Sequence, residues 1–248
     1  MIELSQRLKW RERPDDKPVM FQRWQRLLFL HWTFSSEEIQ PLLPPGLTVD
    51  TFNGVAYVGV VPFEMRNIHP WWFPSVPYIS NFLELNVRTY VIDEFGRPGV
   101  YFISLNADRW IACAFGRSWF HLPYHWCKMN SRIVEDGVTD YRCQRRTSES
   151  NAESHFQFRK TGSPSPAEPG TLEFFLVERY LLFTMRSGEL CYGQVHHTPY
   201  PLQSAEVLKC ENAMLRLDGV PERPQPPEHI GYVEGVDVDV FSLKRVRQ

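Results

Sequence analysis

The stretch NFLELNVRTYV, residues 81–91, sets Glu84, Asn86, Arg88 and Tyr90 at every second position. In an extended chain these four share one face, and Leu83, Leu85, Val87, Thr89 and Val91 share the other. A carboxyl, an amide, a guanidinium and a phenol side by side can bind an anion, move a proton and orient a carbonyl. The plainer reading is a wet sheet face on which Glu84 and Arg88 form a weak surface pair, worth roughly 0–1 kcal/mol. Residue types pull the other way. All four make directed hydrogen bonds, and arginine offers a rigid fork to a carboxylate or phosphate. Were the row to look into a barrel, every polar atom in it would need a partner or a ligand. Pattern alone leaves both readings open. On the pocket reading Arg88 is the anion anchor, Glu84 an acid–base group, and Asn86 and Tyr90 are further substrate contacts.

A second group lies in FGRSWFHLPYHWCKM, residues 115–129. Histidine titrates near neutrality, so His125 is a candidate acid or base, and Tyr124 a candidate hydrogen-bond donor to a carbonyl or oxyanion. The bland alternatives are a core histidine satisfied by a backbone carbonyl and a tyrosine packed among tryptophans. His121 and His125 stand four apart, but Pro123 interrupts any helix between them and no HExxH pattern is present, so no metal is expected. In VHHTPYPL, His196 and His197 point to opposite strand faces and at most one joins a given pocket. The pattern does not say which, and His197 is carried as the candidate substrate contact. Arg179, in VERY, holds either a structural carboxylate or a ligand anion. In HPWWFPSVP, Trp71, Trp72 and Phe73 read as a hydrophobic plug over one end of a barrel, or else as a lid or an oligomer contact.

The elements that must position these residues are short. Apolar RLLFLHWTF reads as a buried strand. Ser35 and Glu38 make a capping box for a helix that Pro44-Pro45-Gly46 stops. Asn53-Gly54 is the strongest hairpin signal, joining LTVDTF to VAYVGVVPF. The opening stretch pairs with GVYFISLNA, and DRWIACAFGRSWFHL is a helix with Asp108 as its N-cap. Strands flank Asp136-Gly137 and Ser187-Gly188, TGSPSPAEPG is a loop, and TLEFFLVERYLLF starts as a helix and passes into a strand. Strands joined by tight turns imply antiparallel sheets, and alternating ones can line a barrel.

Composition bounds the rest. The 248 residues carry a formal net charge of −2, which gives no electrostatic case for nucleic acid or an anionic membrane. Twenty prolines argue against long helices. The five cysteines are scattered without a CxxC pair, as free thiols in a reducing compartment would be. The charged first residues resemble no signal peptide and no apolar run approaches a membrane span, so a cytoplasmic protein is expected. The domain reading is a loose N-terminal arm over residues 1–20 and one domain over 21–248. No phosphate loop, GxGxxG or GxSxG motif is present, and no cofactor is expected.

FLHW, ELNVRTYV, LPYHW, FLVERY and VHHTPYPL, in that order from Phe29 to Leu202, resemble the YqjF-like uncharacterised bacterial family, domain of unknown function 2071. That resemblance implies kinship with acetoacetate decarboxylases. The fold implied is mostly antiparallel β, of the α+β kind: a β-barrel or cone wrapped by a further sheet, with a few short helices. In the decarboxylases Gly-Arg, five residues and Pro-Lys-Lys mark the Schiff-base lysine and the lysine beside it. Here Gly116-Arg117 is followed by five residues and then Pro123-Tyr124-His125. Neither a phenol nor an imidazole forms an imine, and Lys128 is displaced by about 13 Å along a strand. The expectation is therefore a pocket for a small organic acid or carbonyl compound that works without a Schiff base. It would serve an acid–base lyase or hydrolase of oxo acids, or a non-catalytic binder. A further alternative is an oligomeric interaction module built on Trp71 and Trp72.

Overall fold

Segments rich in β-branched and aromatic residues, cut by Gly, Asn and Pro turns, become strands in the computed structural model, which describes residues 2–146 and 152–247. In chain order they are β1 (Met20–Phe34), β2 (Leu47–Val49), β3 (Ala56–Pro70), β4 (Phe82–Asp93), β5 (Pro98–Ala107), β6 (Tyr124–Ile133) and β7 (Thr139–Arg145). Then follow β8 (Glu153–Ser165), β9 (Leu181–Arg186), β10 (Glu189–His196), β11 (Leu202–Glu211), β12 (His229–Val240) and β13 (Lys244–Arg245). The helices are short: α1 (Leu4–Lys9), α2 (Ser36–Ile39), α3 (Pro77–Ser80), α4 (Trp110–Trp119), α5 (Leu172–Val177) and α6 (Met214–Leu217). Among the described residues no helix is long and apolar enough to cross a membrane.

Strand pairing closes a ring. β12, β1, β3, β4, β5, β9 and β10 pair in that order, and β10 pairs back to β12. Only the β5–β9 step is parallel. A second sheet, β6, β7, β8 and β11, leaves the ring at β5 and rejoins it at β12. It covers the outside of β1, β3 and β4, where Leu30, Val60, Leu85 and Val87 pack with Tyr141 and Phe158. Inside the ring, Leu27, Phe29, Val61, Phe63 and Val238 form the other large core. A mostly antiparallel barrel wrapped by a further sheet is thus the fold. Both faces of β4 are buried, the apolar one against the wrapping sheet and the polar one inside the barrel.

Several local expectations change. Asn53 and Gly54 do make the tight turn, both at positive φ and bridged Phe52 to Val55. Yet β2 pairs with β4 rather than β3. Asp50, held by Arg7 and Arg179, leads the chain away before a hairpin can extend. Asp108 does not cap α4. Its Oδ1 accepts from the Leu83 amide at 3.0 Å and its Oδ2 from Arg109 at 2.8 Å, so the carboxylate is spent elsewhere. TGSPS continues β8, because β11 lies alongside to receive its hydrogen bonds.

The N-terminal residues expected as a loose arm are docked. Arg7 grips Asp50 with both Nη atoms at 2.7 and 2.8 Å, and Trp10 packs edge-on against Tyr192 at 6.1 Å. Residue 1 of that arm and residue 248 of the expected domain lie outside the described residues. The tryptophan loop plugs nothing: Trp71 and Trp72 are 68% and 66% exposed.

Candidate functional site

The barrel encloses a cavity of about 100 Å3. Its polar wall comes from three places. Inward alternation on β4 supplies Glu84, Asn86 and Arg88, the first residue of β6 supplies Tyr124, and the link between α5 and β9 supplies Arg179. Apolar side chains, among them Leu27, Val61, Phe63, Leu105 and Val240, close the rest. Glu84, Asn86 and Arg88 are all buried, so the row is no wet face.

Glu84 and Tyr124 form a coupled pair. Tyr124 OH donates to Glu84 Oε2 at 2.9 Å. Burial raises the Glu84 carboxyl from 4.5 to about 8, against the opposing hydrogen bonds from Tyr124 and Asn86. Burial, and then the neighbouring Glu84, pushes the Tyr124 phenol well above its ordinary range. At neutral pH both groups hold their protons, so the pair can donate to a carbonyl oxygen. Gly116 of α4 makes room for the phenol, since a Cβ there would overlap Tyr124 Cε2 and Cδ2. Gly116→Ala is expected to displace the ring from Glu84 and to cost about 1–3 kcal/mol. Thermal unfolding checks this, and an unchanged Tm would show the contact to be slack.

The second feature is a cation without a counter-ion. Arg88 Nη2 donates to the Leu176 carbonyl at 3.2 Å, and its Cζ lies 5.4 Å from the Phe29 ring and 5.8 Å from that of Tyr90. Its Nε is buried without a partner, and it joins no ion pair among the described residues. Arg179 differs. It donates to Asp50 at 2.8 Å and to the Phe175 carbonyl at 2.6 Å. Burial lowers this guanidinium to about 10 despite Asp50, while Arg179 and Arg7 outweigh burial and hold the Asp50 carboxyl low. Three residues of the cavity wall, Asn86, Arg88 and Arg179, each keep a buried polar atom unpartnered. Such atoms are rare in closed cores and call for water or a ligand.

The other expected contacts are placed around this centre rather than in it. Tyr90 OH donates to the Leu176 carbonyl at 2.8 Å and lies 2.6 Å from His31 Nε2. A phenol has one proton, so His31 Nε2 must donate to it. His31 Nδ1 then accepts from His229 Nδ1, 2.9 Å away. Burial keeps both imidazoles neutral, lowering His229 to about 4 and His31 well below its usual value. Tyr90 therefore braces Arg88 from behind with its hydroxyl already committed.

His197 is buried between Tyr180 and Tyr200, at 4.7 and 4.3 Å between ring centroids. Its Nδ1 donates to the Thr198 carbonyl at 2.7 Å and its Nε2 has no partner among the described residues. Burial lowers it to about 4. It stands behind the wall residues Trp24 and Tyr200, outside the cavity lining. His125 is the correction with most consequence: alternation that turns Tyr124 inward turns His125 outward, where its ring is exposed beside Arg117 and Arg145. It does not meet Glu84.

Sequence reasoning missed Gln22, Trp24 and Tyr200 of the lining, and His31, which FLHW contained but to which no role fell. The apolar run Arg26–Phe34 stops short of Gln22 and Trp24, which β1 carries two positions apart on one alternating face. Among the described residues no lysine lines the cavity, and Lys128 is exposed further along β6. Among the described residues no three His, Cys, Asp or Glu side chains converge to hold a metal ion.

Comparison with known proteins agrees with the geometry. The model of the family DUF2071, uncharacterised conserved proteins, matches residues 21–237. YqjF of Bacillus subtilis (strain 168) is 35% identical over 232 residues, covering 94% of each chain. Among solved structures, the enduracididine biosynthesis enzyme MppR, complexed with pyruvate, aligns with a TM-score of 0.62 at 14% identity, covering 95% of this chain and 93% of that one. Acetoacetate decarboxylase from Legionella pneumophila aligns at 0.63 and 13% identity, covering 93% and 87%. An acetoacetate decarboxylase-like enzyme from Sphingomonas wittichii RW1 aligns at 0.61 and 13%, covering 94% and 95%. At such identities the likeness establishes the fold alone.

Proposed function

The chain belongs to the DUF2071 family, and from that premise we propose that its barrel cavity takes a small organic acid or carbonyl compound without a Schiff-base lysine. One observation carries the reading: Arg88 is a buried cation with no carboxylate partner among the described residues, on the same wall as the protonated Glu84–Tyr124 pair. A carboxylate on Arg88 would satisfy its charge and its orphaned Nε. A carbonyl oxygen on the same ligand would then meet the hydroxyl of the protonated Glu84, which Tyr124 orients by donating to Oε2. Size narrows the class. A cavity of about 100 Å3 is somewhat smaller than the roughly 150 Å3 that takes a benzene, so the ligand has only a few heavy atoms. That a neighbour of the same fold holds pyruvate supports this scale. The catalytic form of the reading is general-acid chemistry by Glu84, held in place by the hydrogen bond from Tyr124. Its non-catalytic form is a binder using the same contacts. Calorimetric titration with a series of short oxo and hydroxy acids is expected to give saturable binding by at least one of them. Binding by none would remove the proposal.

A second reading concerns association and rests on an exposed aromatic band. Trp71, Trp72 and Tyr78 are exposed on the link between β3 and β4, Arg109 lies with its Cζ 5.1 Å from the Tyr78 ring, and Trp110 and Trp119 are exposed on the adjoining α4. Trp126 joins them by donating to the Asp108 carbonyl at 3.3 Å. At roughly 200 Å2 for each full side chain these six expose on the order of 700 Å2, close to the roughly 800 Å2 per partner of a standard interface. A second copy of the chain is the occupant that fits. The net charge of −2 repels little, and the Asp108–Arg109 pair at 2.8 Å offers both signs to a twofold mate. Trp72→Ser is expected to weaken dimerisation at least tenfold in sedimentation velocity while leaving acid binding unchanged. A monomeric wild type would end this reading.

A further inference from the structure

His125 and Arg117, which the cavity does not use, share a second concavity on the outer side of Tyr124. It holds about 300 Å3 and is lined by Arg117, Tyr124, His125, Trp126, Arg145 and Arg146. No carboxylate is among them. Arg145 is spent: its donors go to Asp218 at 2.6 Å, Asn106 at 2.9 Å and Ser104 at 2.9 Å. Arg117 and Arg146 are exposed and are not. Arg117 makes one bond, from Nε to the Cys113 carbonyl at 3.3 Å, and Arg146 lies over the Trp126 ring at 4.0 Å. Neither joins an ion pair among the described residues. Two guanidinium groups without a counter-ion among the described residues thus line one hollow with an imidazole, on a chain whose overall balance is slightly acidic.

We propose that this outer pocket binds a phosphate group, held by Arg117 and Arg146 with His125 as the third donor. The chemistry selects the class. A carboxylate presents two oxygens in one plane and a single guanidinium fork satisfies it. Three separate donors of two kinds around one hollow suit a tetrahedral dianion, and arginine pairs are well matched to phosphate oxygens. The stacking of Arg146 on Trp126 orders its fork and lowers the entropy lost on binding. The site lies outside the cavity and does not depend on what fills it, although Tyr124 is a wall of both.

The imidazole supplies its own reporter. Partial desolvation of the exposed ring first, and then Arg145 and Arg117, lower the His125 titration, with Asp218 opposing them. A phosphate beside it reverses the local field and stabilises the imidazolium. The experiment follows the His125 ring proton by NMR through a pH titration of the full chain, with inorganic phosphate or glycerol phosphate added. Chloride at equal ionic strength is the reference. A saturable upward move of the His125 midpoint is expected with phosphate and not with chloride. Arg117→Gln and Arg146→Gln are each expected to weaken the apparent affinity at least tenfold, and both side chains are exposed, so the fold tolerates either change. Tighter binding of the ester would identify a phosphate monoester as the ligand, and equal or tighter binding of the inorganic ion would identify free phosphate. Either result supports the site. A midpoint that phosphate leaves in place, that chloride moves equally, or that both arginine variants reproduce at wild-type affinity overturns it. Failure of the cavity to bind acids would leave this result untouched.

Discussion

Arg88→Met is expected to stabilise the protein by about 1–2 kcal/mol while abolishing the binding of small carboxylates. Two opposed contributions set the sign. Arg88 is only 8% exposed and has no counter-ion among the described residues, so folding strips its hydration without returning an ion pair. The desolvation penalty for such a charge is several kcal/mol even after relaxation. Against it stand one charge-assisted bond to the Leu176 carbonyl, roughly 1.5–3 kcal/mol, and ring contacts with Phe29 and Tyr90 of roughly 0.5–2 kcal/mol. Methionine keeps the unbranched shape and fills the space against Phe29 without the charge. A site held against its own stability is what function requires where stability alone would choose an apolar residue. Urea unfolding reads the first half of the prediction and calorimetric titration the second. If Arg88→Met destabilises the fold and acid binding survives, Arg88 is a structural strut and the cavity loses its anchor.

The fold was legible because its two signals are local. Period-two alternation in residues 81–91 fixed both the strand and its two faces, and the Ser35–Glu38 capping box formed as written. What the pattern at residues 84–90 did not settle was whether the polar face meets water. That depends on β1 and β12 closing the ring, two strands far apart in sequence. Likewise Tyr124 and His125 are adjacent letters with equal claims to chemistry. Only the parallel pairing of Leu105 with Tyr124 decides which one enters the barrel. The Asp50 contacts explain the miss at Asn53-Gly54: a turn signal states its own geometry but not which strand the chain before it will join. The docked N-terminus escaped notice because Arg7 and Asp50 lie 43 residues apart, and no local pattern links them. At the tryptophan loop local pattern leaves plug, lid and oligomer contact open; its exposure disfavours the plug, and large apolar side chains left on a surface mark contact with something else.

Glu84 makes the strongest claim on pH. Its carboxyl stands at about 8 in the folded chain against 4.5 when free, because burial disfavours the anion more than Tyr124 and Asn86 favour it. Below the lower value the group is protonated whether folded or not, and it adds no slope. Between the two, the unfolded chain gives up the proton and the folded chain keeps it, so stability falls as pH rises. Above about 8 both forms are ionised and the loss is complete. At 1.36 kcal/mol per pH unit the whole window is worth roughly 4–5 kcal/mol. Glu84→Gln removes the titration while its amide oxygen still accepts from Tyr124. The variant is therefore expected to match wild type to about 1 kcal/mol near pH 5 and to exceed it by roughly 4 kcal/mol near pH 9. Urea unfolding at about pH 5, 7 and 9 measures this. Parallel profiles for the two proteins would mean that Glu84 is ionised and hydrated, and the proton store beside Tyr124 would not exist. Should a short oxo acid prove to be turned over, the same titration governs the rate. Turnover by a protonated Glu84 declines as pH passes upward through about 8, and Glu84→Gln loses it at every pH.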